Sequence, residues 1–232
     1  MIREIALDTE TTGLKPEEGH RIVELGCVEL INHVPTGRTF HHFLYPDRAM
    51  EAGASRVSGI TDEMLVGKPI FGDIAQAFLD FIADAPLVIH NAGFDMAFLN
   101  MELQRAGLAP LIFERAIDTI AIARRKYPGA PASLDALCKR FAIDLSERTT
   151  HGALLDANLL AQVYLELCGG RQPALILAAG AESDLAGLIR RQPRPEPLPS
   201  LITADELAAH AAFIDGLKGE VIWKQYELPA AA

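Results

Sequence analysis

Four carboxylates and one histidine are placed where chemistry would need them: Asp8, Glu10, Asp95, Asp156 and His151. Asp8 and Glu10 stand two apart at the end of an apolar run, Ile2 to Leu7, that reads as a strand. Residues i and i+2 of a strand share a face, so these acids lie side by side and repel unless a cation lies between them. Taken alone the pair says little, because exposed acids in this spacing are common. Asp95 falls in the first turn of a helix, a place where an acid often serves only the helix dipole. Asp156 is embedded in the small and apolar stretch Gly152 to Ala161. A carboxylate there needs a partner, and cation binding is one of few sources. His151, five residues earlier, is by itself the kind of histidine that caps a helix or faces solvent. As a set they are more specific. All-oxygen ligation suits magnesium or manganese rather than zinc. Carboxylates from separate elements can hold two such ions for an in-line attack of water on phosphorus, with histidine taking the water's proton.

The elements that position these groups alternate in type. Ile22 to Leu30 reads as a second strand, Asn32 to Gly37 as a turn and Arg38 to Tyr45 as a third strand, antiparallel to the second. Thr61 caps a helix starting at Asp62, and Phe71 to Ala83 has apolar residues at helical spacing. A compact strand, Leu87 to His90, leads into a helix over about Phe94 to Ala106. Ser133 opens a helix through Phe141, and His151 to Cys168 is a long helix stopped by Gly169-Gly170. A leading hairpin followed by alternating strands and helices gives an α/β domain with a mixed sheet over residues 1–170. Residues 171–200 read as a linker, extended by Pro193, Pro195, Pro197 and Pro199. Residues 201–232 carry a last helix, with Thr203 and Glu206 as a capping box.

Composition sets outer limits. The chain has 232 residues, 50% of them hydrophobic and 22% charged, enough to bury a core and too apolar for wholesale disorder. A net charge of -10 argues against holding nucleic acid by a broad basic surface, and leaves open an enzyme that meets phosphates through bound cations. No segment reads as a membrane span or a signal peptide. Cys27, Cys138 and Cys168 sit among apolar neighbours with no pairing pattern and read as reduced core residues, so the expected address is cytoplasmic.

Asp8-Thr-Glu-Thr-Thr-Gly13, His90-Asn-Ala-Gly-Phe-Asp95 and His151-Gly-Ala-Leu-Leu-Asp156 resemble the three motifs of DnaQ-like 3′–5′ exonucleases of the DEDDh type. Ser133-Leu-Asp-Ala-Leu-Cys138 is similar to the segment before the third motif. The resemblance spans 1–170 and extends to the layout of the tail. It implies an RNase H-like mixed five-stranded sheet flanked by helices, with a flexible C-terminal tail. It implies removal of mismatched 3′-terminal nucleotides from single-stranded DNA ends, released as nucleoside 5′-monophosphates with two Mg2+ or Mn2+ ions. By the same resemblance Asp8 touches both ions, Glu10 and Asp156 hold the ion on the nucleophile side, Asp95 serves the other, and His151 is the general base. Leu14, Val57 and Phe94 match positions that pack around the terminal nucleotide. Many relatives contact that nucleotide with a Glu and, five residues on, a His; here Gly53 and Ser58 stand in those places, before Gly59-Ile60.

In the tail, Gln172, Leu175 and Leu177 resemble a sliding-clamp peptide. Residues 201–227 resemble a segment that binds the polymerase III alpha subunit, through Leu207, Ala211, Ile214 and Trp223, with Tyr226 a further aromatic. A small theta-like subunit is a further implied partner. Two other readings stay open: an RNA-trimming exonuclease with the same acids, and a catalytically silent module bridging clamp and polymerase.

Overall fold

A computed structural model describes residues 2–146, 150–170 and 202–217. The chain divides into two units, Met1–Leu175 and Ile176–Ala232. The first is built on β1 (Arg3–Thr11), β2 (Ile22–Ile31), β3 (Val34–Phe43), β4 (Leu87–Ile89) and β5 (Ala116–Asp118). Around them run α1 (Ala52–Ser58), α2 (Asp62–Leu65), α3 (Phe71–Ile82), α4 (Ala92–Arg105), α5 (Thr119–Lys126), α6 (Leu134–Arg140) and α7 (Ala153–Leu167). The sheet order is β3-β2-β1-β4-β5. β1 pairs antiparallel with β2, and β2 with β3; β1 and β4, and β4 and β5, run parallel. The mixed five-stranded sheet flanked by helices is therefore present.

β1 is apolar on both faces because both are covered. Ile5 and Leu7 join Phe71, Phe78, Met96 and Phe98 of α3 and α4 on one side. Ala6 points the other way, into a core with Val88, Leu137, Leu160 and Val163 from β4, α6 and α7. Buried Glu102 of α4 accepts from Arg21 Nε and Nη2 at 2.6 and 2.8 Å, tying that helix to the start of β2.

Several boundaries differ from the sequence reading. β1 continues to Thr11, so Asp8 and Glu10 lie within the strand, paired across to Gly26 and Glu24, rather than beyond its end. The hairpin turn is confined to Asn32 and His33, with φ of 50° and 68°, the positive values a tight two-residue turn needs. β3 accordingly begins at Val34; its Pro35 and Gly37 are tolerated because it is an edge strand. His151 precedes α7, whose N-cap is Gly152. Of the cysteines, Cys27 and Cys138 are buried, whereas Cys168 follows the end of α7 and is exposed, not a core residue.

In the second unit α8 (Ala204–Gly216) is capped as the sequence indicates: Thr203 Oγ1 accepts from Glu206 N at 3.3 Å, and Glu206 Oε2 accepts from Thr203 N at 2.8 Å. None of its residues is buried. Residues 172–177, the four alternating prolines, Trp223 and Tyr226 lie outside the described residues. Among the described residues no helix is long and apolar enough to cross a membrane.

Candidate active site

The site depends on a missing side chain. Gly26 of β2 lies opposite Asp8, and a Cβ there would come 2.4 Å from the backbone of Ala153 and Leu154. With hydrogen in its place, the first turn of α7 rests directly on the sheet and Asp156, in that turn, is brought to Asp8. Asp156 is buried at 3% exposure. Ligand atoms of Glu10, His151 and Asp156 all lie within 4.8 Å of one another. His151 Nδ1 is 3.1 Å from Asp156 Oδ2, and the His151 backbone N donates to Val57 O at 3.2 Å, which ties the loop before α7 to the end of α1. Gly26→Ala is expected to cost roughly 1–3 kcal/mol, the usual range for overpacking. Because the obstructing atoms are backbone, α7 must move, so activity should fall more than stability does. Urea denaturation beside a nuclease assay tests this.

Asp8 sits between two groups of acids. Burial first, then the charges of Asp95, Asp156, Glu10 and Glu24, push its carboxyl well above the ordinary value. Asp95 enters from α4 on the other side of β1. Its Oδ1 accepts from Thr9 N at 3.1 Å and Thr9 Oγ1 at 2.7 Å, so it holds the strand between the two motif acids. Burial raises its pKa to about 7, against the opposing pull of the Thr9 hydrogen bonds. The structure thus groups Glu10, His151 and Asp156 and brings Asp8 against them, while Asp95 reaches Asp8 by charge and engages Thr9. Three supporting residues were not singled out from sequence. Glu24, across from Glu10, is buried and takes His41 Nε2 at 2.8 Å. Asp118, whose charge adds to the rise at Asp95, caps α5 by accepting from Ile120 N at 2.8 Å. His90 Nδ1 lies 2.8 Å from Thr119 Oγ1. A strand acid facing another acid is the signal that would have exposed Glu24; Asp118 has none, its element being too short to read.

Two clefts open beside the acids. One, of about 320 Å³, is lined by Asp8, His90, Ser133, Asp135, His151 and Asp156. The other, of about 290 Å³, brings Leu14, Val57 and Phe94 together with Thr9, Glu10 and Thr11. Leu14 and Val57 are 77% and 53% exposed, apolar side chains presented at a cavity mouth. Ser58 does not line it: it is buried, with Oγ donating to Ala54 O at 3.0 Å and accepting from Ile60 N at 3.2 Å, so it closes α1 instead of facing the cleft. The donor set fits a divalent cation: oxygen ligands converge, and the strong disfavour for charge on Asp8 is what a bound cation would reverse.

An exonuclease family matches residues 5–164 of this chain. The DNA polymerase III subunit epsilon of Rickettsia felis is 48% identical over 222 residues, covering 93% of this chain and 97% of that protein. The subunit of the same name from Escherichia coli is 41% identical, covering 96% and 97%. Among solved structures, exonuclease X in complex with 5′ overhanging duplex DNA is similar at a TM-score of 0.56 and 28% identity, over 72% of this chain and 91% of that one. The nuclease domain of 3′hExo, a DEDDh family member bound to rAMP, shares the fold at a TM-score of 0.61 and 20% identity, over 71% and 90%. By the exonuclease match over most of its length and by relatives at 41% and 48% identity, the chain belongs to the exonuclease family, among the DNA polymerase III epsilon subunits.

Proposed function

We propose that the chain is a proofreading 3′–5′ exonuclease that removes mismatched 3′-terminal nucleotides from DNA and releases nucleoside 5′-monophosphates. The observation that carries this is the convergence of Asp8, Glu10, His151 and Asp156 beside an apolar cleft of one-nucleotide size. Asp8, Glu10 and Asp156 would hold divalent cations, two Mg2+ or Mn2+, with Asp95 serving the second. When bound, such ions supply charge to the phosphoryl oxygens and acidity to water. His151, whose Nδ1 lies 3.1 Å from Asp156 Oδ2, would take the proton of the attacking water. Leu14, Val57 and Phe94 pack the terminal nucleotide, so that its 5′-phosphate meets the acids.

A 3′-mismatched DNA primer and a matched RNA oligomer, each with and without EDTA, test the reading. DNA should be degraded faster and EDTA should abolish both reactions; faster loss of RNA would favour the RNA-trimming alternative, and no cleavage at all the silent bridge.

The tail reading is likewise a proposal: a catalytic domain over 1–170, a linker over 171–200 in which Gln172, Leu175 and Leu177 dock on a sliding clamp, and a polymerase-binding segment over 201–232 that uses Leu207, Ala211, Ile214 and Trp223. A theta-like subunit would be a further partner. In support, α8 is capped yet leaves Leu207 42% and Phe213 65% exposed. A helix this short is marginal alone and gains by burying such side chains on a partner. Truncation after Pro199 should leave hydrolysis of single-stranded DNA intact and abolish co-purification with the polymerase alpha subunit. Stoichiometric co-purification of the truncated chain would move that contact to the folded domain.

A further inference from the structure

If the terminal nucleotide fills the apolar cleft on one side of the acids, the strand behind it must leave on the other. That side is the cleft lined by Asp8, His151 and Asp156 together with Ile120, Ser133, Leu134 and Asp135. Among the described residues, neither cleft has a lysine or arginine in its lining. A polyanion passing through needs cations, and a chain of net charge -10 has few to spare. They are concentrated close by. Between Thr119 and Phe141 stand five basic residues, Arg124, Arg125, Lys126, Lys139 and Arg140, against one acid, Asp135. α5 and α6 both start at this cleft, with Ile120 from one and Leu134 from the other in its lining. Both carry their basic residues in the last turn.

The two basic ends are held together. Tyr127, which closes α5, and Phe141, which closes α6, have ring centroids 6.1 Å apart and pack on one core with Ala123 and Leu137. The Arg140 guanidinium lies over the Tyr127 ring, 4.5 Å from its centroid. Cations in a last turn also suit the helix dipole, and Lys126 is used in that way: its Nζ donates to Glu166 O and Leu167 O, at 3.2 and 3.0 Å, at the end of α7. Arg124, Arg125 and Lys139 are exposed, and among the described residues none is paired with an acid. The helical rise puts them roughly 6–8 Å along their axes from Ile120 and Leu134, about two nucleotides of a stacked strand. Resting on the exonuclease reading above, we propose that Arg124, Arg125 and Lys139 form a phosphate-binding strip that grips the strand about two nucleotides behind the scissile bond. The same charge would draw an acidic protein, but its place at the exit of the phosphate cleft favours a nucleic-acid backbone.

The test uses the full chain with Mg2+ or Mn2+ and two single-stranded substrates, a dinucleotide too short to reach the strip and an oligonucleotide of about ten residues. In the triple variant Arg124→Ala, Arg125→Ala, Lys139→Ala, KM for the longer strand at low salt should rise roughly tenfold or more, with kcat unchanged at saturation. The steepness of log KM against log salt should fall by up to about 2, from ~0.7 for each phosphate contact on a single strand. Cleavage of the dinucleotide should stay as in the wild type. The charge-keeping set Arg124→Lys, Arg125→Lys, Lys139→Arg should restore KM for the longer strand. A wild-type KM and salt slope in the triple alanine variant overturn the proposal, and so does equal loss on both substrates, which would mean that α5 and α6 had shifted. Loss confined to co-purification with the polymerase alpha subunit also overturns it, and makes the strip a protein contact. All three leave the exonuclease reading standing, whereas absence of wild-type cleavage of either substrate sinks that reading itself.

Discussion

Asp8→Ala should lower turnover on single-stranded DNA by roughly a thousandfold or more, because cation-derived charge stabilisation contributes several kcal/mol. Asp8 is the acid that faces both the Asp156 and the Asp95 side, so its loss damages both halves of the site at once. In metal-free buffer the same substitution should do the opposite to stability. The folded-state pKa of Asp8 is raised, and that of Asp95 is raised from 3.8 to about 7. Between the unfolded and folded values the native state binds more protons than the unfolded chain, so stability falls as pH rises through that window. With EDTA present, the variant should therefore melt above the wild type at pH 8, and the gap should narrow towards pH 4. Saturating Mg2+ should reverse the order by stabilising only the wild type. Cleavage by Asp8→Ala at the wild-type rate would end the two-ion reading.

His151→Gln should cost about 10²–10⁴-fold in rate, the range for a lost general base. Cation affinity is the decisive companion measurement. His151 Nδ1 lies at hydrogen-bond distance from Asp156 Oδ2 and within the same cluster as Glu10, so a ligand role and a base role compete for one side chain. Affinity kept within a few fold supports the base. Collapse of affinity, as carboxylate repulsion goes unscreened, would make His151 a ligand.

Side chains that announce their chemistry were legible in sequence; the backbone that delivers them was not. Asp156 was readable because an acid in an apolar segment demands a partner, whereas Asp8, Glu10 and His151 were readable only as parts of a set and through the family motifs; Glu10, His151 and Asp156 do meet, with Asp8 beside them. Asp95 was readable by position, but its bonds to Thr9 were hidden, since they join residues 86 apart in sequence. The third strand was placed too late because Pro35 and Gly37 imitate a turn, and only the edge position of β3 makes them admissible. The fifth strand was expected from resemblance alone: β5 spans three half-buried residues and carries no alternation long enough to detect. Ser58, which stands where many relatives carry a nucleotide-contacting His, is spent on the end of α1.

The seating of α7 on β1 also decides when in the life of the polypeptide a nuclease comes into being. Tyr164 donates to Glu4 at 2.7 Å across 160 residues, and Asp156 must cross nearly as far to reach Asp8. Contacts of such separation close late in folding, because the loop entropy is spent before they return anything. On the ribosome, β1 and its two acids emerge first and Asp156 almost last among the residues of the sheet domain. A half-made chain therefore carries part of a cation site and none of the completed one. Hydrolytic competence arrives only when α7 has left the exit tunnel and docked, so a nascent chain whose α7 is still unmade, or one cut before it, exposes no working nuclease to the RNA around it.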